Sequence, residues 1–528
     1  MTKNNKAFSI TKSALLLAVM SFASRFLGMV RDRIFASHFG AGDILDSYFA
    51  AFRIPDLIFN LLVLGALSAA FIPIFTDLIS HKRIKEAFKV ANSILNIIIF
   101  VLLVSSFVLF IFMPFFIKLI TPGFSLEKRE LTVDLARIML LSPILFGISN
   151  VAGAILNSFK KFLAYSIAPI FYNLGIIFGV LVFVPTFGNL GLALGVVLGA
   201  FLHMVVQLIA TVHLGFRYSF IFDIKNKKVR KIGRLMIPRS LGLAVHQINL
   251  TISTIIGSTL SGGAVSVYNF ANNLQSIPLG LFGISFAIAS FPVLSETFSL
   301  KRTKEFVNTF SKTFRQILFL VVPISVLMLI LRAQIVRIIL GAGHFDWQDT
   351  RRTASALGFF TLSLFAQSLV PLLARSFYAM QDTKTPVKIS VVSVFCNIFL
   401  ALYLSRVLGV GGLALAFSIS SFVNMFLLLA ILRTRVGNLN DATIINSAVR
   451  IMLASTLSGI FAYGSLYAIA PKVDMTTGIG ILIQALGAGL VFAFSYITLA
   501  FALRCGEVAF LNRFIRRFVK IGDFKNGN

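Results

Sequence analysis

Residues Ser24 to Pro73 read SRFLGMVRDRIFASHFGAGDILDSYFAAFRIPDLIFNLLVLGALSAAFIP, and this stretch decides how the rest of the chain is read. Long apolar runs in it enclose Arg25, Arg31, Asp32, Asp46 and Arg53. Ionisable side chains at bilayer depth are costly, so they face a bundle interior or a wet cavity and mark a working site. Arg31 follows Arg25 by about two helical turns and lies on nearly the same face, while Asp46 and Arg53, seven residues apart, would share a face of the next helix. Arg25 is too deep to snorkel easily, whereas Arg33 fits an interfacial snorkelling side chain equally well. Asp32 and Asp46 are candidate partners that would hold the arginines and still leave net positive charge. Ser24 is grouped with Arg25 beside it. An arginine excess in a cavity suits phosphate or pyrophosphate, whose oxygens a guanidinium fork meets bidentately.

The composition around this stretch fixes the class. The chain has 528 residues, of which 57% are hydrophobic and 13% charged, with mean hydropathy +0.91; soluble domains carry roughly 25% charged residues. Fourteen apolar segments can be counted, at 13–37, 43–79, 88–118, 131–158, 162–185, 190–215, 232–260, 265–298, 306–340, 350–379, 386–405, 411–433, 446–470 and 477–503. Their length suits helices crossing a hydrocarbon core of about 30 Å. They are continuously apolar without period-2 alternation, which excludes a transmembrane β-barrel. The expected fold is an all-α polytopic membrane protein.

The net charge of +29 is distributed as in a membrane protein rather than a nucleic-acid binder. Basic connections (HKRIK from His81, Lys160-Lys161, Lys225 to Arg234, Lys301-Arg302, Lys384, Arg433 to Arg435) alternate with connections poor in Lys and Arg. Positive-inside asymmetry puts the basic set and both termini in the cytoplasm. The polar start with Lys3, Lys6 and Lys12 runs into a span too long for a cleaved leader. Cys396 and Cys505 have no metal-ligand spacing and read as unpaired.

An internal repeat is visible. The segment from Gly40 to Asp77 is echoed from Ser261 to Glu296, with Pro73 against Pro292. A second echo links LNSFKKFLAYSIAPIFYN near Ser158 to ARSFYAMQDTKTPVKISVVSVFCN near Ser376. Six spans per copy keep the copies in one orientation, as in secondary transporters with a central site between lobes. The expected organisation is an N-lobe over 1–220, a C-lobe over 221–436, and two further spans with a basic tail over 437–528. Asn272 and Asn273, on the helix that parallels the Asp46–Arg53 helix, are candidate cavity residues, as are Arg239 and His246; Gln247, Asn249 and His203 read mainly as polar contacts between helices. There is no Walker A sequence, HExxH or nucleophile elbow, so neither ATP hydrolysis nor another enzyme activity is expected. No cofactor or metal is called for, and coupling is expected from membrane potential or a monovalent ion.

The motifs SRFLGMVRDRIFASHFGAG, LGALSAAFIP, TPGF, AGAILNS and FYAMQDTKTPVK resemble those of the MurJ/MviN family, the lipid II flippases of the MOP transporter superfamily, in order over spans one to twelve. The resemblance implies fourteen helices in two six-helix lobes, with the last two helices receiving a lipid tail. It implies movement of the undecaprenyl-pyrophosphate-linked peptidoglycan precursor from the cytoplasmic to the outer leaflet for cell-wall synthesis and cell shape. Membrane lipids and cell-wall synthesis enzymes are the expected partners. It maps the family's essential first-helix arginines onto Arg25 and Arg31, its second-helix acid onto Asp46 and its following basic residue onto Arg53. This chain departs from the family pattern at Phe59 (often Arg), Leu64 (Glu), Asn273 (Arg) and Asn272 (Asp). Those departures leave open a flippase for another polyprenyl-pyrophosphate glycan of the O-antigen type. A non-transporting scaffold for cell-wall enzymes is the alternative from outside the transporters.

Overall fold

The computed structural model describes residues 3–64 and 71–509; the side chains of 3–15, 18, 64, 237–239, 241–244 and 246 also lie outside the described set, and with them those of the candidates Arg239 and His246. Among the described residues every regular element is helical. By packing, the chain divides into two units, Met1–Ser266 with Ala342–Asp346, and Val267–Gly341 with Trp347–Asn528.

Unit 1 runs through α1 (Lys3–Phe39), α2 (Asp43–Ala51), α3 (Arg53–Phe59), α4 (Ile72–Ser80), α5 (Ile84–Ile120), α6 (Leu126–Met139), α7 (Leu141–Ser158), α8 (Phe162–Phe178), the short α9 (Val184–Phe187), α10 (Leu190–Val212) and α11 (Lys227–Ser258). α2 and α3 meet at Phe52 rather than forming one helix. Pro55 explains the break, because it has no N–H to give the carbonyl four residues back and its ring crowds that turn. α8 and α10 pack backbone to backbone: a Cβ on Gly175 would strike Gly199, and one on Gly195 would strike Gly179. Small residues at four-residue spacing allow this approach where no hydrophobic drive separates protein from lipid. Phe107 is 67% exposed in the long apolar middle of α5, as expected of a side chain that meets lipid.

Unit 2 contains most of α12 (Ala264–Pro278), then α13 (Ser285–Ser299), α14 (Thr303–Ile330), α15 (Arg332–Leu340), α16 (Trp347–Leu362), α17 (Leu364–Ala379), α18 (Lys384–Leu408), α19 (Val410–Val436), α20 (Asp441–Ile469) and α21 (Gly478–Ala502). Its core joins Phe306, Phe310 and Phe314 of α14 to Leu373 and Phe377 of α17, Ile451 of α20 and Tyr496 of α21. The buried Tyr496 hydroxyl donates to the Phe319 carbonyl at 2.8 Å, a partner that makes its burial tolerable.

Ten helical segments among the described residues are long and apolar enough to cross a membrane, and eleven if the 45° bend between α16 and α17 is counted within one span. The other three expected spans coincide with α1, with α2 to α4, and with α11. These carry charge (Arg25, Arg31, Asp32 and Arg33 in α1; Lys227 to Arg234 in α11) or helix breaks. Fourteen spans are consistent with this arrangement. The sequence offset that sets Pro73 against Pro292 also sets a π-helical stretch, Asn60–Leu64, against another, Leu279–Ile284. It sets Lys82 (φ 60°) against Lys301 (φ 56°), both left-handed residues that close a helix.

Candidate functional site: the polar chain of unit 1

The α1 face identified from the sequence packs against α8. Arg31 donates from Nε and Nη2 to Asp32 Oδ1 at 3.1 and 2.7 Å and from Nη1 to Asn173 Oδ1 at 3.2 Å. The Asn173 amide in turn donates to the Pro169 carbonyl at 3.0 Å and to that of Ser24 at 3.5 Å. Ser24 thus takes part through its backbone. Gly28 lies beside Asn173, at a distance where a Cβ would make only ordinary contact with its Oδ1 (3.9 Å). Asp32 is buried and Arg31 partly so. Arg25, one turn before Gly28, is partly buried on the same helix.

Arg53 opens α3 and is 9% exposed. Its Nε donates to Thr254 Oγ1 of α11 at 2.7 Å. Asp56, one turn later, faces Arg53 electrostatically. Tyr172 of α8 lies within electrostatic reach of both Asp56 and Arg31. Arg31, Tyr172, Asp56 and Arg53 thus lie within electrostatic reach of one another in turn, beside aromatic contacts such as Phe35 on Tyr48 (ring centroids 4.9 Å) and Phe146 on Tyr172 (5.1 Å).

Asp46 serves differently from the reading that made it a partner of the arginines. It is 1% exposed, and Oδ2 meets Lys128 Nζ at 2.7 Å and accepts from Gly263 N at 2.8 Å. Oδ1 accepts from Ser266 N at 2.7 Å and from Ser266 Oγ at 2.8 Å. Lys128 also reaches Asp43 at 2.6 Å and stands over the Phe124 ring at 4.1 Å. The break at Phe52 ends the continuous face that would have aligned Asp46 with Arg53, and Lys128 comes from α6, far away in sequence. Asp46 is therefore a clasp joining α2, α6 and the start of α12.

In unit 2, Asn272 Oδ1 accepts from Gln275 Nε2 at 3.0 Å. Gln275 Oε1 accepts from Gln367 Nε2 at 3.0 Å, and the same amide nitrogen reaches Ser363 Oγ at 2.8 Å. Ser363 donates to Ser418 Oγ at 2.8 Å, and Ser418 to the Phe359 carbonyl at 2.7 Å. The Asn273 carbonyl accepts from Ser276 Oγ at 2.7 Å. This is a ladder of amides and hydroxyls.

Residues 35–483 match a family model described as lipid II flippase MurJ. The chain belongs to the MurJ family of lipid II flippases. A protein of Rickettsia prowazekii (strain Madrid E), described as a probable lipid II flippase MurJ, is 32% identical over 427 residues, covering 80% of this chain and 83% of the relative. A solved structure of lipid II flippase MurJ in an inward closed conformation superposes with TM-score 0.77 at 26% identity, over 93% of this chain and 99% of that one. An inward-facing multidrug resistance MATE transporter of the MOP superfamily has TM-score 0.67 at 16% identity, over 81% and 99%, and shares the fold. The protein is therefore an integral membrane protein of the transporter class. The family match begins after Arg25, Arg31 and Asp32 and includes Asp46, Arg53 and Asn173.

Sequence reasoning passed over Asn173, Asp56, Tyr172 and Lys128. Asn173 was within reach, since both copies of the second echo end on an asparagine, Asn173 and the buried Asn397. Lys128 sits in the connection TPGFSLEKRE, where a lysine ordinarily reads as solvated.

Proposed function

We propose that the polar chain of unit 1 is the station for the pyrophosphate of lipid II, with Arg25, Arg31 and Arg53 as its ligands. The protein is a lipid II flippase, moving the lipid-linked peptidoglycan precursor from the cytoplasmic to the outer leaflet by alternating access. The observation that carries the site is where the acids go: Asp46 is committed to Lys128, which leaves Asp32 at Arg31 and Asp56 at Arg53 to set against the charges of Arg25, Arg31 and Arg53. Arg31 and Arg53 also donate to neutral acceptors, Asn173 and Thr254. Pyrophosphate oxygens can replace those neutral acceptors and form charge-assisted bonds, which are roughly twice as strong as neutral ones. The polyprenyl tail stays in the hydrocarbon throughout, where the exposed apolar faces of the spans offer no competing polar contact.

On this reading the protein lies in the cytoplasmic membrane with both termini inside, following the basic connections. Net positive charge in the substrate station, loaded with an anionic headgroup, makes the transport step sensitive to membrane potential. No cofactor enters the mechanism, and the substrate's source and destination place it beside the enzymes that build and polymerise the precursor.

The test is rescue of a conditional flippase-depleted bacterium by wild type, Arg25→Ala and Arg53→Ala at matched membrane levels, with outer-leaflet lipid II as the readout. Wild type is expected to restore growth and outer-leaflet lipid II, and the variants to fail. Rescue by both variants at the wild-type level would remove the arginines from the mechanism.

A further inference from the structure

Unit 2 holds a basic recess, built on other helices than the amide ladder. Arg315 of α14, Asn446, Ser447 and Arg450 of α20, and Arg504 and Glu507 of the turn after α21 line a cavity of about 390 Å³. Three guanidinium groups there face one carboxylate. Arg315 Nη1 donates to Glu507 Oε1, and Arg450 Nη1 donates to the Arg504 carbonyl at 2.9 Å. Arg504 is exposed and has φ 52°, a left-handed conformation that non-glycine residues rarely hold.

The recess has polar atoms left over. Ser447 Oγ, Arg315 Nε and Glu507 Oε2 are buried and have no hydrogen-bond partner among the described residues. The Ser447 and Glu507 residues are 7% and 5% exposed. A buried polar atom left without a partner costs about 1–3 kcal/mol, so such atoms in native proteins call for an explanation. Two donors (Ser447 Oγ and Arg315 Nε), the free faces of two further guanidinium groups and one carboxylate oxygen describe the complement of a ligand. That ligand carries several acceptor oxygens and at least one hydroxyl. A phosphate ester with a hydroxyl fits: its anionic oxygens match the arginines, and its hydroxyl proton goes to Glu507 Oε2. The recess also adjoins lipid-facing surface. Val449 and Leu453 on α20 are 50% and 51% exposed, and Phe501 at the end of α21 is 54% exposed. Basic pockets between spans, at the level of the headgroups, bind anionic lipid headgroups.

We propose that this recess is a binding site for a phosphate-bearing anion with a hydroxyl group, presented by an anionic lipid headgroup or as soluble phosphate. It is separate from the substrate station of unit 1 and does not depend on that assignment. The test uses the full chain in phosphatidylcholine nanodiscs in two arms, one adding phosphatidylglycerol and the other inorganic phosphate, with thermal unfolding and native mass spectrometry as readouts. Four proteins are compared. Wild type and Arg406→Gln, an exposed arginine on α18, are expected to respond alike. Arg450→Gln/Arg504→Gln removes the charges, and Ser447→Met fills the recess while keeping every charge; both are expected to bind at least tenfold less. A response to phosphatidylglycerol alone assigns the site to a lipid headgroup, and a response to millimolar inorganic phosphate assigns it to the soluble ion. Equal responses from wild type, the double variant and Ser447→Met in both arms would overturn the proposal.

Discussion

The repeat places Arg53 and Asp56 of α3 against Asn272 and Gln275 of α12, under the offset that pairs Pro73 with Pro292. The spacing is the same one-turn pair in both units, and the chemistry is opposite. In unit 1 the pair is a guanidinium and a carboxylate, with Arg53 donating to Thr254. In unit 2 it is two amides bonded to each other at 3.0 Å and continued by Gln367 and Ser363. Uncharged amides between spans hold helices together at modest energy, about 0.6 kcal/mol per contact in measured cases. Charged groups at the same depth are expensive and are retained where a substrate needs them. On the proposed function, the comparison sets an anion station in unit 1 against helix cohesion in its counterpart.

The largest effect expected is on the clasp that positions α2. Asp46→Ala strips Lys128 of its buried partner and leaves Gly263 and Ser266 donors unmet. It should destabilise the protein by about 3–5 kcal/mol, seen as loss of folded protein in detergent. Full stability would show that the clasp is dispensable. Next, Arg53→Asn/Asp56→Gln rewrites unit 1 in the language of unit 2. It should leave the fold intact but cost about 1.5–3 kcal/mol of substrate interaction, or roughly 10–100-fold in lipid II binding. Unchanged binding would erase the functional contrast between the units. Gln367→Leu leaves the Gln275 carbonyl and Ser363 without their donor, at about 1–3 kcal/mol. Thermal unfolding should register that loss, while transport per folded molecule stays near wild type; a transport defect at normal stability would give unit 2 a direct part in substrate handling.

The smallest effect concerns Asp382, in the connection before α18. It accepts from the Lys384 and Thr385 backbone nitrogens at 3.0 Å each and from Thr385 Oγ1 at 2.6 Å. Desolvation pushes its carboxyl up, but the bonds from Thr385 and Lys384 together with the Arg435 charge outweigh this and hold it below the ordinary carboxylate value. A depressed folded-state value means that the stabilisation is complete above the unfolded carboxylate range, near pH 4, and is lost as pH falls through the folded value. Asp382→Ala should remove about 1 kcal/mol of capping at neutral pH and flatten the acid limb of the stability profile; an unchanged acid limb would show that Asp382 contributes nothing.

Much of this architecture was legible because a bilayer imposes long apolar runs and a charge asymmetry that survive in one sequence. Arg25, Arg31 and Arg53 were legible as candidates for the same reason, since charged residues stand out against so apolar a background. Partners were less so. Periodicity along one helix cannot see that Pro55 breaks the face shared by Asp46 and Arg53, or that Lys128 arrives from another element. Asn173 carries no charge, and an amide within a span reads the same whether it orients an arginine or joins two helices. The Asn272 and Asn273 positions were visible as lost charge, but the ladder through Gln367 and Ser418 depends on tertiary packing.

The most direct test of the central claim is binding of lipid II to the purified full chain, comparing wild type with Arg31→Ala/Asp32→Ala by native mass spectrometry. The paired substitution removes both members of the ion pair together, so neither is left as an unpaired charge by loss of the other. The account predicts a stable, folded variant whose lipid II binding falls at least about tenfold, the loss of roughly 1.4 kcal/mol, together with competition by pyrophosphate in wild type alone. A folded variant that binds lipid II as tightly as wild type would contradict it.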